Sequence, residues 1–167
     1  MKKIFYILCL FGTSNFTPPV VAEDIEVYEI DILEYGEFKA YSVKRKNAEN
    51  TSLGKMTVLK EIELLKQTDT IEGSTGTQFG VKYFVKGSPK GANVPLSVRV
   101  LHPITTNPNT QQTSTIEAWI ANAKIGSANY SGWIFEYKWE IVPGEWTIQL
   151  LYEGEKLAEK KYTVKIK

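Results

Sequence analysis

The sequence predicts an all-β protein, an immunoglobulin-like antiparallel β-sandwich of about eight strands, with a closed β-barrel as the runner-up. Short runs of alternating apolar and polar residues recur along the chain, the period of strands packed on one face and wet on the other. Turns bearing Gly, Pro and Asn separate these runs. Strands do not alternate with long helical patterns, which sets aside a parallel α/β fold. The chain lacks the paired cysteines of antibody domains, so Trp139 or Trp146 would pack without a disulfide behind it.

The first 22 residues read as an export signal: Lys2 and Lys3, an apolar run from Ile4 to Phe11, a Pro18-Pro19 break, then Val20-Val21-Ala22. The apolar run is too short to span a bilayer, and the small residues suit cleavage before Glu23. Residues 23–167 then form a single domain, periplasmic or secreted, with no stable membrane span after cleavage. Cys9, the only cysteine, falls within the leader. Tyr6-Ile7-Leu8 before it lacks the small residue of a lipoprotein signal. The mature domain is left without a disulfide, a thiol nucleophile or a thiolate ligand.

Ile25 to Ala40 is strand-like, with Tyr28, Ile30 and Ile32 on one side and a bulge or bend at Tyr35-Gly36. Lys44-Arg45-Lys46 and Asn47 to Lys55 read as loop. Met56 to Gln67 fits a strand better than a helix, because Thr57, Val58 and Ile62 are β-branched. Asp69 to Thr77 is a turn-rich link into Gln78 to Lys86, where Phe79, Val81, Tyr83 and Val85 alternate cleanly. Pro95 to His102 follows, with Leu96, Val98 and Val100 on one face, and Pro103 ends it. Pro103 to Thr113 is a polar loop across one end of the domain. Ile116 to Ile125 is a strand, with a short helix over 116–123 as the alternative; Ile116, Ala118 and Ile120 stand opposite Glu117 and Trp119.

In the last third, Trp133, Phe135, Tyr137, Trp139 and Ile141 alternate with Ile134, Glu136, Lys138 and Glu140, so a strand is expected there. A turn at Pro143-Gly144 would pair Ile141 with Trp146, Trp139 with Ile148 and Tyr137 with Leu150. In the next hairpin, a two-residue Gly154-Glu155 loop would mix wet and dry residues on one face. An odd connection with Gly154 in the left-handed conformation instead joins the Trp146, Ile148 and Leu150 face to that of Ala158, Tyr162 and Val164. Lys160 is the one poor fit, expected near an edge or with its ammonium extended to water.

Removing Lys2 and Lys3 from the 20 basic residues leaves 18 against 19 acidic ones, a net charge near −1 with the signs interleaved. Binding nucleic acid needs clustered cations, so that class is excluded. His102 is the only histidine, and a lone imidazole reads as hydrogen-bonded to the loop backbone rather than as a general base or a metal ligand. The serines lack the spacing of a nucleophile elbow, and no glycine-rich phosphate loop is present. Glu26, Glu29, Asp31, Glu34 and Glu37 spread over both faces of what reads as an edge strand. No catalytic residue, metal ligand or cofactor is assigned. The candidate binding residues are His102, Thr106 and Asn107 at the polar loop, and Trp119 and Tyr130 as the aromatics expected to be exposed.

The segments GKMTVLKEIELLKQTDTI, TQFGVKYFVKG, VRVLHPITTNP and PGEWTIQLLYEGEKLAEKKYTV, in this order, resemble an uncharacterised bacterial domain family of unknown function. The resemblance runs from about Glu34 to the C-terminus. Its most recognisable pieces are His102-Pro103 with Thr106-Asn107-Pro108, and the Pro143 to Trp146 turn. It implies a compact β-domain and supplies no activity. The expected function is an exported, non-catalytic binding or structural module that meets a protein partner in the cell envelope through surface loops or an exposed strand edge. The alternatives are a carbohydrate-binding module using exposed aromatics, and an enzyme using His102.

Overall fold

A computed structural model describes residues 24–166 apart from 42 and 60. The leader expected over residues 1–22 lies outside the described residues. Eleven strands run through the described chain: β1 (Glu26–Ala40), β2 (Val43–Asn47), β3 (Lys55–Leu59), β4 (Ile62–Lys66), β5 (Thr70–Gly73), β6 (Gln78–Ser88), β7 (Asn93–Thr106), β8 (Thr113–Lys124), β9 (Ala128–Ile134), β10 (Gly144–Tyr152) and β11 (Glu155–Ile166). One sheet has the order β4-β1-β6-β9, a second β5-β11-β10-β7-β8, and β2 and β3 form a separate hairpin arm. The two large sheets pack face to face as the expected immunoglobulin-like sandwich.

Period-two alternation builds the interior. Phe79, Val81, Tyr83 and Val85 of β6 face Leu96, Val98 and Val100 of β7, Trp146, Ile148 and Leu150 of β10, and Tyr162 and Val164 of β11 in one buried cluster. Phe79 meets Trp146 and Tyr162 edge-on across the layers, with ring centroids 5.9 and 5.1 Å apart. The Tyr162 hydroxyl donates to the Gly80 carbonyl at 2.6 Å, so a buried hydrogen bond joins the two sheets. Emptying any one of these aliphatic positions, Leu150→Ala for example, costs roughly 2–5 kcal/mol in a core of this kind.

The last hairpin keeps the expected faces: Trp146 pairs with Tyr162, Leu150 with Ala158 and Gly144 with Val164. Glu153 and Gly154 form its turn with φ of 49° and 88°. The extra residue that corrects the register is Leu157, within β11, because Leu150 pairs with Ala158 and Leu151 with Lys156. Lys160, opposite Ile148, places its ammonium 3.5 Å from the Tyr35 ring centroid, a cation–π contact that accommodates the misfit.

Several expectations are corrected. The strand expected over 133–141 stops at Ile134, and Lys138–Glu140 is a 3-10 turn. Its hairpin with 146–150 does not form: β9 pairs with β6, and β10 lies between β7 and β11. The cause is Glu140, whose Oε2 accepts the Glu136 and Tyr137 amides at 2.6 and 2.7 Å and curls the chain back. Tyr137 is therefore exposed and Trp139 half-buried, stacked on each other rather than both in the core. The strand count is eleven rather than eight because the basic run at 44–46 lies in β2, because β3 and β4 are separate, and because the turn-rich link contains β5, parallel to β11. Pro103 does not end β7, which runs on to Thr106 past a register shift between Leu101 and Thr105. The acidic strand β1 is flanked by β4 only over Glu37–Ala40; from Glu26 to Gly36 it pairs with β6 alone among the described residues, so that stretch is the edge expected of it, with Glu29 and Asp31 paired to Lys86 and Glu34 to Lys82. On β8 the buried side carries Glu117, Trp119 and Ala123, while Ile116 and Ile120 are exposed.

Candidate functional site

The arm leaves the first sheet after β1, returns at β4, and rests its tip on the second sheet. There the Ser52 amide donates to Glu117 Oε2 at 2.5 Å, the Ala118 amide donates to the Asn50 carbonyl at 3.0 Å, and Asn107 Nδ2 donates to the Ser52 carbonyl at 3.3 Å. Arg45 of the arm forms a 3.0 Å ion pair with Glu136. Between arm and sandwich lies a cleft of about 600 Å³, lined on the β8 side by Trp119 to Asn122, on the β9 side by Tyr130 to Ile134, and at one end by Glu136 and Glu140. Ligand pockets run to roughly 300–1,000 Å³, so the space suits a small ligand or a short chain segment.

Both neighbouring strands are sheet edges, because β8 pairs only with β7 and β9 only with β6 among the described residues. The Ala118 and Lys124 amides point away from β7, the first to Asn50 and the second to Asn129 Oδ1 at 2.8 Å. Period two therefore turns Ile120 and Asn122 the same way. Pro95, which has no N–H, stands opposite Asn122 as that arrangement requires. On β9, Phe135 exchanges hydrogen bonds with the Gly76–Thr77 backbone, so Ile134, Gly132 and Tyr130 turn outward by the same count. Two open backbone edges thus border one cleft.

The Tyr130 side chain lies across paired Gly80 and Gly132. A Cβ at Gly132 would fall 2.2 Å from its hydroxyl oxygen and 2.4 Å from the Phe79 carbonyl oxygen, so no larger residue fits there beside this ring. The ring meets Phe38 edge-on at 5.0 Å. Its hydroxyl accepts from Gln78 and donates to the Phe79 carbonyl, and burial pushes its pKa well above that of a free phenol.

From the cleft wall inward, the rings of Trp119, Trp133, Trp146 and His102 form a continuous run, each 4.7–6.4 Å from the next. His102 Nδ1 stands 2.8 Å from the Pro103 carbonyl oxygen, which can only accept, so Nδ1 carries the proton. Its Nε2 faces Glu117 Oε1 at 3.7 Å, with both side chains 1 % exposed. Four buried polar atoms have no hydrogen-bond partner among the described residues: His102 Nε2, Glu117 Oε1, Trp133 Nε1 and Glu140 Oε1. Trp133 and Glu140 line the cleft; His102 and Glu117 do not. Burial pushes the Glu140 carboxyl up to about 7, against the two amides that bond it, and the charges of Glu136 and Glu117 add to the rise.

Of the residues singled out from sequence, Trp119 and Tyr130 meet in the cleft, both half-buried rather than exposed. Asn107 is buried at the arm tip, where its Oδ1 also accepts the Asn109 amide at 3.0 Å. His102 is buried behind the cleft, and Thr106 is an exposed end residue of β7 paired with Thr113. Sequence reasoning missed Glu117, Glu140 and the arm. Period two did place Glu117 on the face of Trp119, which was the available signal for its burial. Among the described residues no group of three or more His, Cys, Asp or Glu is placed to hold a metal ion, and no helix is long and apolar enough to cross a membrane.

No curated protein matches the chain. Among solved structures, it is similar to an immunoglobulin-like protein from Pseudomonas aeruginosa, with a TM-score of 0.58 and 21% identity over 86% of this chain and 98% of that one. This likeness shows the fold, in agreement with the two packed sheets. A family model described as a domain of unknown function, DUF3859, matches residues 26–164, from the start of β1 into β11, and the chain belongs to that family.

Proposed function

We propose that this chain is an exported, non-catalytic binding module that takes an extended segment of a partner protein, in the cell envelope or outside the cell, into the cleft beneath the arm. The observation that carries this reading is the pair of open edges: Ile120 and Asn122 on β8, and Tyr130, Gly132 and Ile134 on β9, turn unpaired backbone toward one space. An incoming strand gains main-chain hydrogen bonds there, and alternate side chains enter pockets on either face. His102, the residue an enzyme would need, is sealed with Glu117 behind the tryptophans and does not reach the cleft. The export signal rests on the Lys2–Ala22 pattern.

A glycan ligand is the second reading, favoured by Trp119, Trp133 and Tyr130 in the cleft wall and by the stacked Tyr137–Trp139 pair outside it, at 12° between ring planes. One substitution separates the two. Ile120→Pro removes an outward amide without touching the β7 ladder. Peptides from a random display library that add to β8 should lose about tenfold in affinity for this variant, the effect of one strong hydrogen bond. Binding of oligosaccharides but of no peptide would refute strand addition, as would peptide affinity unchanged both in this variant and in Ile134→Pro, which removes an outward amide of β9.

A further inference from the structure

Glu140 is 1 % exposed, lines the cleft, and has one oxygen without a partner. Its Oε2 is occupied by the Glu136 and Tyr137 amides. Whether ionised or protonated, Oε1 is left with an unmet hydrogen bond, a condition rare in folded proteins. The cations that line the cleft do not meet it. Lys82 is paired with Glu34 at 3.2 Å, and Lys46 and Lys55 are exposed on the arm; Arg45, outside the lining, is taken up by Glu136. Glu136 and Glu117 add negative charge nearby, which selects a positive group over a neutral donor. Trp133 is also in the lining, and an aromatic side chain beside a cation favours it.

We infer that the Glu140 wall of the cleft anchors a basic side chain of the bound segment, its ammonium or guanidinium reaching the free oxygen of Glu140. The inference rests on the cleft being the binding site. Glu140 is then a specificity-determining residue: it stabilises Lys or Arg at one position of the ligand and penalises a carboxylate there. The backbone edges supply affinity independent of that side chain.

The test uses n-butylammonium and n-butylguanidinium as probes, with butyramide as the neutral control, titrated into 15N-labelled protein. Both cations should shift the amide resonances of Glu136 and Tyr137, and butyramide should bind about tenfold more weakly. Glu140→Gln should abolish the preference for the cations. Glu136→Gln, which leaves the free oxygen in place, should reduce it only in part and guards against misreading a misfolded variant. Equal affinity for all three probes, or shifts confined to other residues, would overturn the inference. Selected peptides that protect the β8 or β9 edge yet bind equally well with Lys or Gln would also overturn it, while leaving strand addition intact. Cation binding at Glu140 without edge protection by any peptide would refute strand addition alone.

Discussion

Replacing Glu140 by Gln should change the pH dependence of stability in a way the geometry fixes. The carboxyl has a folded pKa of about 7 against 4.5 for the free group, because burial with Glu117 and Glu136 nearby outweighs the two amides it accepts. Between those values the folded state binds more protons than the unfolded state, so stability falls as pH rises. The contribution is complete below the unfolded value of 4.5 and is lost as pH climbs through about 7. At 1.36 kcal/mol per unit, the swing is about 3 kcal/mol. Gln cannot ionise, retains an oxygen for the Glu136 and Tyr137 amides, and should remove the swing. Urea unfolding followed by tryptophan fluorescence at pH 5 and pH 8, for both proteins, measures it through midpoint and slope. The stability of the variant relative to the native protein should rise by about 3 kcal/mol from pH 5 to pH 8. A difference between the proteins that does not change with pH would refute the reasoning.

Three further perturbations test the frame around the cleft. Tyr162→Phe deletes the bond from β11 to Gly80 and should cost about 1 kcal/mol, read by thermal unfolding. Asn107→Ala should free the arm tip, raising hydrogen exchange at Ser52 and Ala118 while costing about 1 kcal/mol in global stability; unchanged exchange there would show that the latch lies elsewhere. Gly132→Val forces a side chain into the Tyr130 hydroxyl and the Phe79 carbonyl, and should cost roughly 1–3 kcal/mol by overpacking, with Tyr130 resonances shifted.

The sandwich was legible because its core strands obey period two without competition. Phe79 to Val85, Leu96 to Val100 and the Trp146–Leu150 face against Tyr162 all occupy the sides their alternation assigned. The failure at 133–141 has a local cause. Alternation there is as clean as elsewhere, but a glutamate within reach of two preceding amides offers the backbone a competing partner, and the strand gives way to a turn. The cleft was less legible than the core. Trp119 and Tyr130 were found through their ring chemistry, but their meeting depends on two edge strands from different sheets lying on one side of the sandwich. The arm was hidden because Lys44-Arg45-Lys46 carries no apolar alternation, and its place is set by long-range bonds from Asn50 and Ser52 to β8. Glu117 and Glu140 read as solvent-facing charges, since burial of a carboxylate is decided by tertiary partners rather than by sequence period.

The most direct test of the cleft as a binding site is hydrogen exchange on the full chain, alone and with the tightest peptide from a random display selection. The account predicts that the peptide slows exchange at Ile120 and Asn122, or at Tyr130, Gly132 and Ile134, and leaves the outer face of β11 unchanged. Protection of some other edge, or none along β8 and β9 at saturating peptide, would contradict it.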